Sequence, residues 1–119
     1  MPHNIQLGKM GEDMAAQYLI DKGHKILHRN YTYERGEIDI ISQIGDTIVF
    51  TEVKTRRNNK YGYPEDAVTD TKKQKILQVA TYYMQINRIK TDPRIDIIAI
   101  TMEGIKPEIV HHEDAFYHF

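Results

Sequence analysis

The sequence predicts an α/β protein with a mixed central sheet of about five strands and one helix on each face. Three observations carry this. Two runs rich in β-branched residues flank Gly45-Asp46, the pattern of a β-hairpin. The segments follow as helix, three strands, helix, two strands, so a meander precedes a crossover helix and a returning strand. Residues 95–100 form a near-continuous apolar run, as in a strand covered on both sides.

Leu7, Met10, Met14 and Tyr18 recur at helical spacing, which predicts a helix over 7–22 with Gly23 as its stop. Glu12 lies beside the apolar positions Ala15, Ala16 and Leu19. An acid facing a small-residue surface needs a partner. That partner is either a structural Lys or Arg, or a metal site reached across the helix–sheet contact. Residues 24–33 carry a weaker strand pattern through Ile26, Leu27, Tyr31 and Tyr33, with bends at Asn30 and at Glu34-Arg35-Gly36.

Strands over about 37–43 and 47–55 come next. With Gly45-Asp46 as the turn, Ile44 faces Thr47, Ile41 faces Phe50, Asp39 faces Glu52 and Glu37 faces Lys54. Opposed residues hold their Cβ atoms about 4.5–5.5 Å apart. Two carboxylates that close repel unless a cation or a shared proton joins them. Lys54, two residues beyond Glu52, projects from the same face. The hairpin therefore offers two acids and a base on one patch, which suits a divalent metal beside a phosphate. A slip of one residue would turn both acids to other faces, and Glu37 with Lys54 also reads as an ordinary cross-strand ion pair.

Residues 56–69 have loop character. Their basic residues and their tyrosines, Tyr61 and Tyr63, fit nucleic-acid stacking and simple loop packing equally well. A second helix begins near Thr71, where Thr71 and Gln74 have capping-box spacing. Its apolar face is Ile76, Val79, Ala80 and Tyr83, widened by Leu77, Met84 and Ile86, with Gln74, Gln78, Thr81 and Gln85 opposite. Lys72 and Lys73 sit at its start, where cations oppose the helix dipole, so an outside anion is a reasonable partner. Asp92-Pro93 breaks the chain, a strand follows over 94–102, and a last edge strand covers 106–112, with Pro107 suited to an edge. Asp96 beside Arg94 reads as a structural charge pairing a loop or helix end. His111-His112-Glu113-Asp114 contains metal-ligand types, but neighbours on a strand point to opposite faces and chelate poorly.

A chain of 119 residues is long enough for one domain, expected over 1–119. No apolar run approaches the length of a membrane span, and Met1-Pro2-His3-Asn4 lacks the features of a signal peptide. The absence of Cys excludes disulfides and a thiolate zinc site. The expected location is therefore the cytoplasm. Net charge is −1, yet residues 54–75 carry +4 and the remainder −5. A local positive field beside an acidic pair is compatible with a phosphate backbone, and equally with a solvated loop and helix face.

Asp39, twelve intervening residues, then Glu52-Val53-Lys54, on a hairpin after a helix bearing Glu12, resembles the PD-(D/E)xK nuclease superfamily. The match is closer to the small bacterial YraN family, largely uncharacterised proteins grouped with endonuclease-like folds. The blocks that carry it are Gly11-Glu12 with Ala15, Ala16 and Tyr18-Leu19; Gly36-Glu37-Ile38-Asp39-Ile40-Ile41; Phe50-Thr51-Glu52-Val53-Lys54-Thr55-Arg56; and Arg94-Ile95-Asp96. The layout is also similar to archaeal Holliday junction resolvases, which place an acid on the first helix ahead of an aspartate and an E-x-K. Ile38 stands where some superfamily members have Pro.

The resemblance implies a restriction-endonuclease-like core and a Mg²⁺-dependent phosphodiesterase, with Mn²⁺ able to substitute, acting on DNA such as branched or repair intermediates. It implies Asp39 and Glu52 as metal ligands, the Val53 carbonyl as a third, and Glu12 through water. Lys54 would position or deprotonate the attacking water, or stabilise the transition state. Arg56, Arg57, Lys72 and Lys73 would hold flanking phosphates. A junction-cutting role would call for a homodimer with two sites. The competing reading is a non-catalytic nucleic-acid-binding or repair accessory protein that kept the fold. The intact Asp39, Glu52 and Lys54 favour the enzyme, and the near-neutral charge favours the accessory protein.

Overall fold

The computed structural model describes residues 4–58 and 69–115. The chain runs α1 (Asn4–Asp21), β1 (Lys25–Tyr33), β2 (Gly36–Ile44), β3 (Thr47–Arg56), α2 (Asp70–Ile86), β4 (Arg94–Thr101) and β5 (Glu108–His112). The strands lie in the order β1-β2-β3-β4-β5. Among the described strands only β3 and β4 pair in parallel, because α2 crosses over between them, and β5 closes the edge antiparallel to β4. This is the mixed five-stranded sheet that the segment order predicts. No helix among the described residues is long and apolar enough to cross a membrane.

The two helices cover opposite faces. α2 packs on Ile38, Ile41, Phe50, Ile95 and Ile97 through Ile76, Val79, Ala80 and Tyr83. α1 packs on Ile40, Val53, Ile98 and Ile100 through Ala15, Ala16 and Leu19. Every residue of β4 after Arg94 is buried, as its apolar run requires.

Details at the helices differ from expectation. The buried edge of α1 is Leu7, Gly11, Ala15 and Leu19, one position round from the methionine stripe, and Met10 stays 47% exposed. Small residues win this face because the helix lies very close to β3: a Cβ added at Gly11 would meet Thr55 Oγ1 at 1.9 Å. α1 ends as expected at Gly23, where φ is +99° and the His24 N–H donates to the Leu19 carbonyl at 2.9 Å. The N-cap of α2 is Thr69, two residues before the expected Thr71, and its hydroxyl accepts the Lys72 N–H at 3.2 Å. Ile86, read as part of the apolar face, is 53% exposed because it lies in the last turn, beyond the sheet contact.

Candidate functional site

The hairpin register is the expected one. Pairs run from Ile44↔Thr47 through Ile41↔Phe50 to Ile40↔Thr51. The ladder stops there, one step before Asp39 and Glu52. Asp39 Oδ2 instead accepts the Val53 N–H at 2.8 Å, so a side chain takes the place of a strand partner. The opposite edge of β2 is irregular at the same level, where the paired positions of β1 and β2 step over Asn30 and Asp39. Asn30 has φ +53°, a left-handed conformation that Asn tolerates better than most residues. Consequently Ile38 and Ile41, three apart, both enter the α2 core, and His28 and Tyr31 both meet Tyr83 edge-on. The sheet opens locally around Asp39. Strict alternation of side chains cannot anticipate this, and a direct Asp39–Glu52 ladder pair does not form.

The acids nonetheless gather at one place. Asp39 and Glu52 line a cavity of about 250 Å³ together with Glu37, Arg35, Lys72 and Lys75. Lys54 Nζ lies 3.3 Å from Glu52 Oε1, with the two side chains 16% and 12% exposed. Glu12 reaches this group from α1. Asn30 Nδ2 donates to Glu12 Oε1 at 2.9 Å and to Glu37 Oε1 at 3.1 Å, bridging the helix acid to the strand acid. Arg29 lies 4.0 Å from Glu12 but bonds Asp13 at 2.7 Å. Glu12 thus has the structural Arg suggested by the sequence within 4.0 Å, and the Asn30 amide joins it to Glu37 across the helix–sheet contact. The Glu37–Lys54 cross-strand pair is replaced: Lys54 pairs with Glu52, and Glu37 takes the Asn30 amide.

The electrostatics follow from this crowding. Burial, and then the Glu52 charge, push the Asp39 carboxyl up to about 8. Burial also raises Glu52, partly offset by Lys54. Lys72 is lowered, chiefly by Lys54 beside it and then by burial, although Glu52 and Asp39 pull the other way. Asp39 and Glu52 thus share one small space, and burial keeps both carboxyls raised even with lysines beside them. A divalent cation bound by the carboxylates would offset their charge. The donor set is all oxygen, which is the chemistry of Mg²⁺ or Mn²⁺.

Of the cations expected on phosphates, Lys72 lines the cavity and Lys73 is half-buried outside its wall. Arg56 and Arg57 are half-buried at the end of β3, beyond Lys54. Arg35 and Lys75 were not singled out in the sequence, yet both form the wall. They arrive because α2 presses on Gly36, where a Cβ would meet Val79 Cγ2 at 2.5 Å. Asn30 carried a signal as a bend residue, but its bonds to Glu12 and Glu37 are long-range. The tyrosines of the 56–69 loop lie outside the described residues.

A second ionic cluster sits apart, on the α1 side of β4. Asp96 is fully buried and accepts two bonds from Arg94 at 3.0 and 2.9 Å, one from His111 Nε2 at 2.7 Å, and the Asp114 N–H at 3.0 Å. Burial opposes its charge, yet the His111 and Arg94 bonds outweigh burial and hold the carboxyl below its ordinary value. Asp96 thus has the loop partner suggested by the sequence. Ligand atoms of Asp96, His111 and Glu113 lie within 4.8 Å of one another, close enough to share a cation. His111 and Glu113 are two residues apart and converge, unlike adjacent pairs of that run. Arg94 already bonds both Asp96 and Glu113, so a cation's place there is largely filled by the guanidinium.

Residues 11–100 match the uncharacterised protein family UPF0102. The chain is 44% identical to a UPF0102 protein of Syntrophus aciditrophicus, covering 98% of this chain and 92% of that one. It is 43% identical to one of Flavobacterium psychrophilum over all of both chains. It is also 43% identical to one of Clostridioides difficile, over 96% and 99% of the two. The chain belongs to the UPF0102 family, and the YraN resemblance read from its ordered blocks agrees with this.

Proposed function

We propose that this UPF0102 protein is a divalent-metal-dependent phosphodiesterase acting on DNA, with branched or repair intermediates as its substrate class. One observation carries the reading: Asp39 and Glu52 share a cavity in which the Asp39 carboxyl is driven up to about 8. Strain of this kind has little structural use and concentrates at functional sites. The oxygen donors fit Mg²⁺ or Mn²⁺, with Asp39 and Glu52 as direct ligands, the Val53 carbonyl beside them and Glu12 through water.

A bound cation would supply a Lewis acid that acidifies a water and offsets charge on the scissile phosphate. The chain's own groups set the geometry. The Val53 N–H holds Asp39 Oδ2 in place, leaving the second carboxylate oxygen for the cation. Asn30 fixes Glu12 near the same point. Lys54, held by Glu52, orients the attacking water and donates to the developing negative charge. Its neighbour Lys72, with Lys75 and Arg35, offers contacts to flanking phosphates.

The test is incubation of purified protein with linear, nicked and four-way-junction DNA and Mn²⁺. Cleavage should vanish in Glu52→Ala and in Lys54→Ala. Cleavage that survives both changes belongs to a contaminant. DNA binding without cleavage by the unmodified protein would establish the accessory reading instead.

A further inference from the structure

The site cavity does not end at the acids. It shares Arg35, Gly36 and Lys75 with a second hollow of about 330 Å³. That hollow shares Tyr33 and Gln78 with a third, of about 540 Å³, along the outer side of α2. The three form one trough beside α2, roughly 20 Å long from Lys72 to Gln85 at about 1.5 Å per residue.

The trough is zoned by charge. Its acid end carries Lys72, Lys75 and Arg35 beside Glu37, Asp39 and Glu52, and the middle hollow adds the exposed Glu34. Among the described residues its far end has no charged side chain and is lined by Gln74, Leu77, Gln78, Thr81 and Gln85 around Tyr33 and Tyr82. Those two rings stack at 3.6 Å between centroids with only 9° between planes. Other aromatics of this protein behave differently: Tyr31, Tyr83, Phe50 and His28 meet edge-on at 5.2 to 5.7 Å. Edge-on contacts are an arrangement that aromatic pairs prefer over a face-to-face sandwich. Tyr33 and Tyr82 are half-buried, at the surface. A flat pair there presents an outer ring face on which another flat ring can continue the stack.

We propose that this trough holds a single-stranded nucleic acid, with phosphates on Lys72, Lys75 and Arg35 and an unpaired base on the Tyr33–Tyr82 stack. Cations followed by uncharged amides and aromatic rings match a strand whose bases are turned toward the protein. A duplex would bring phosphates, and no free base face, to a zone without charge. The direction of the strand relative to the acids rests on the phosphodiesterase reading, whereas binding in the trough does not.

The test is fluorescence anisotropy in EDTA with fluorescein-labelled 20-mers: oligo(dT), oligo(rU) and a blunt DNA duplex. Wild type should bind a single strand more tightly than the duplex. Tyr82→Ala should weaken oligo(dT) or oligo(rU) binding about tenfold while changing duplex binding less than twofold. Tyr82→Phe should retain binding. Gln85→Glu, at an exposed position that leaves packing intact, should weaken it severalfold by repelling the strand. Tighter binding of the duplex, or single-strand binding unchanged in both Tyr82→Ala and Gln85→Glu, overturns the proposal. If no substrate is cleaved but this pattern holds, the catalytic reading fails and the trough stands. If cleavage needs Glu52 and Lys54 but the pattern is absent, the trough alone fails.

Discussion

Replacing Asp39 by Asn should make the metal-free protein more stable. Burial, and then the Glu52 charge, raise this carboxyl from 3.8 to about 8. Between those values the folded chain keeps a proton that the unfolded chain has lost. The folded state therefore carries no penalty below about pH 4, loses stability as pH rises, and bears the full penalty above about pH 8. At about 1.4 kcal/mol per pH unit the span corresponds to an upper limit of about 6 kcal/mol. Glu52 shares the titration and Lys54 and solvent screen it, so about 2 kcal/mol is expected in practice. An Asn side chain can still accept the Val53 N–H bond through its amide oxygen, without the charge. Urea melts in EDTA should show Asp39→Asn more stable than wild type by about 2 kcal/mol at pH 8.5, or about 8 °C in Tm. Near pH 4 the difference should disappear. A variant less stable than wild type at pH 8.5, or a gap independent of pH, would refute the idea that the site stores electrostatic strain.

Adding Mn²⁺ or Mg²⁺ should raise the Tm of wild type by several degrees and leave Asp39→Asn unmoved, since only the former offers both carboxylates; a thermal melt with a metal titration checks this. Gly11→Ala should destabilise by about 1–3 kcal/mol, because its Cβ would run into Thr55 Oγ1, and urea melts measure it. Thr69→Ala should lose about 1 kcal/mol with the α2 cap, read the same way. Asp96→Ala should cost about 3–5 kcal/mol by stranding Arg94 and His111. A Mn²⁺-induced Tm shift that persists in that variant would keep the metal away from the Asp96 cluster.

Much of this architecture is legible in the residue pattern, because period and turn chemistry are local. The Gly45-Asp46 turn sets the β2–β3 register, and the β-branched run in β4 announces a strand buried on both sides. Glu52 and Lys54 share a face for the same reason. Asn30 shows as a bend, but the pattern hides the interruption opposite it at Asp39, where a side-chain-to-backbone bond replaces a ladder pair. A period of two has no term for that. The Asn30 bridge between Glu12 and Glu37, and the approach of Arg35 and Lys75, depend on how closely α1 and α2 settle over Gly11 and Gly36. Helix position over a sheet is a tertiary outcome. Thr69 caps α2 in place of the expected Thr71, because Thr69, Asp70 and Thr71 all have capping chemistry and only the helix's packing decides among them.

Crystals soaked in Mn²⁺ and measured at a wavelength where manganese scatters anomalously would locate the metal directly. A peak is expected between Asp39 and Glu52, at about 2.0–2.2 Å from a carboxylate oxygen of each. A peak only among Asp96, His111 and Glu113, or none with Asp39 and Glu52 well ordered, would contradict this placement.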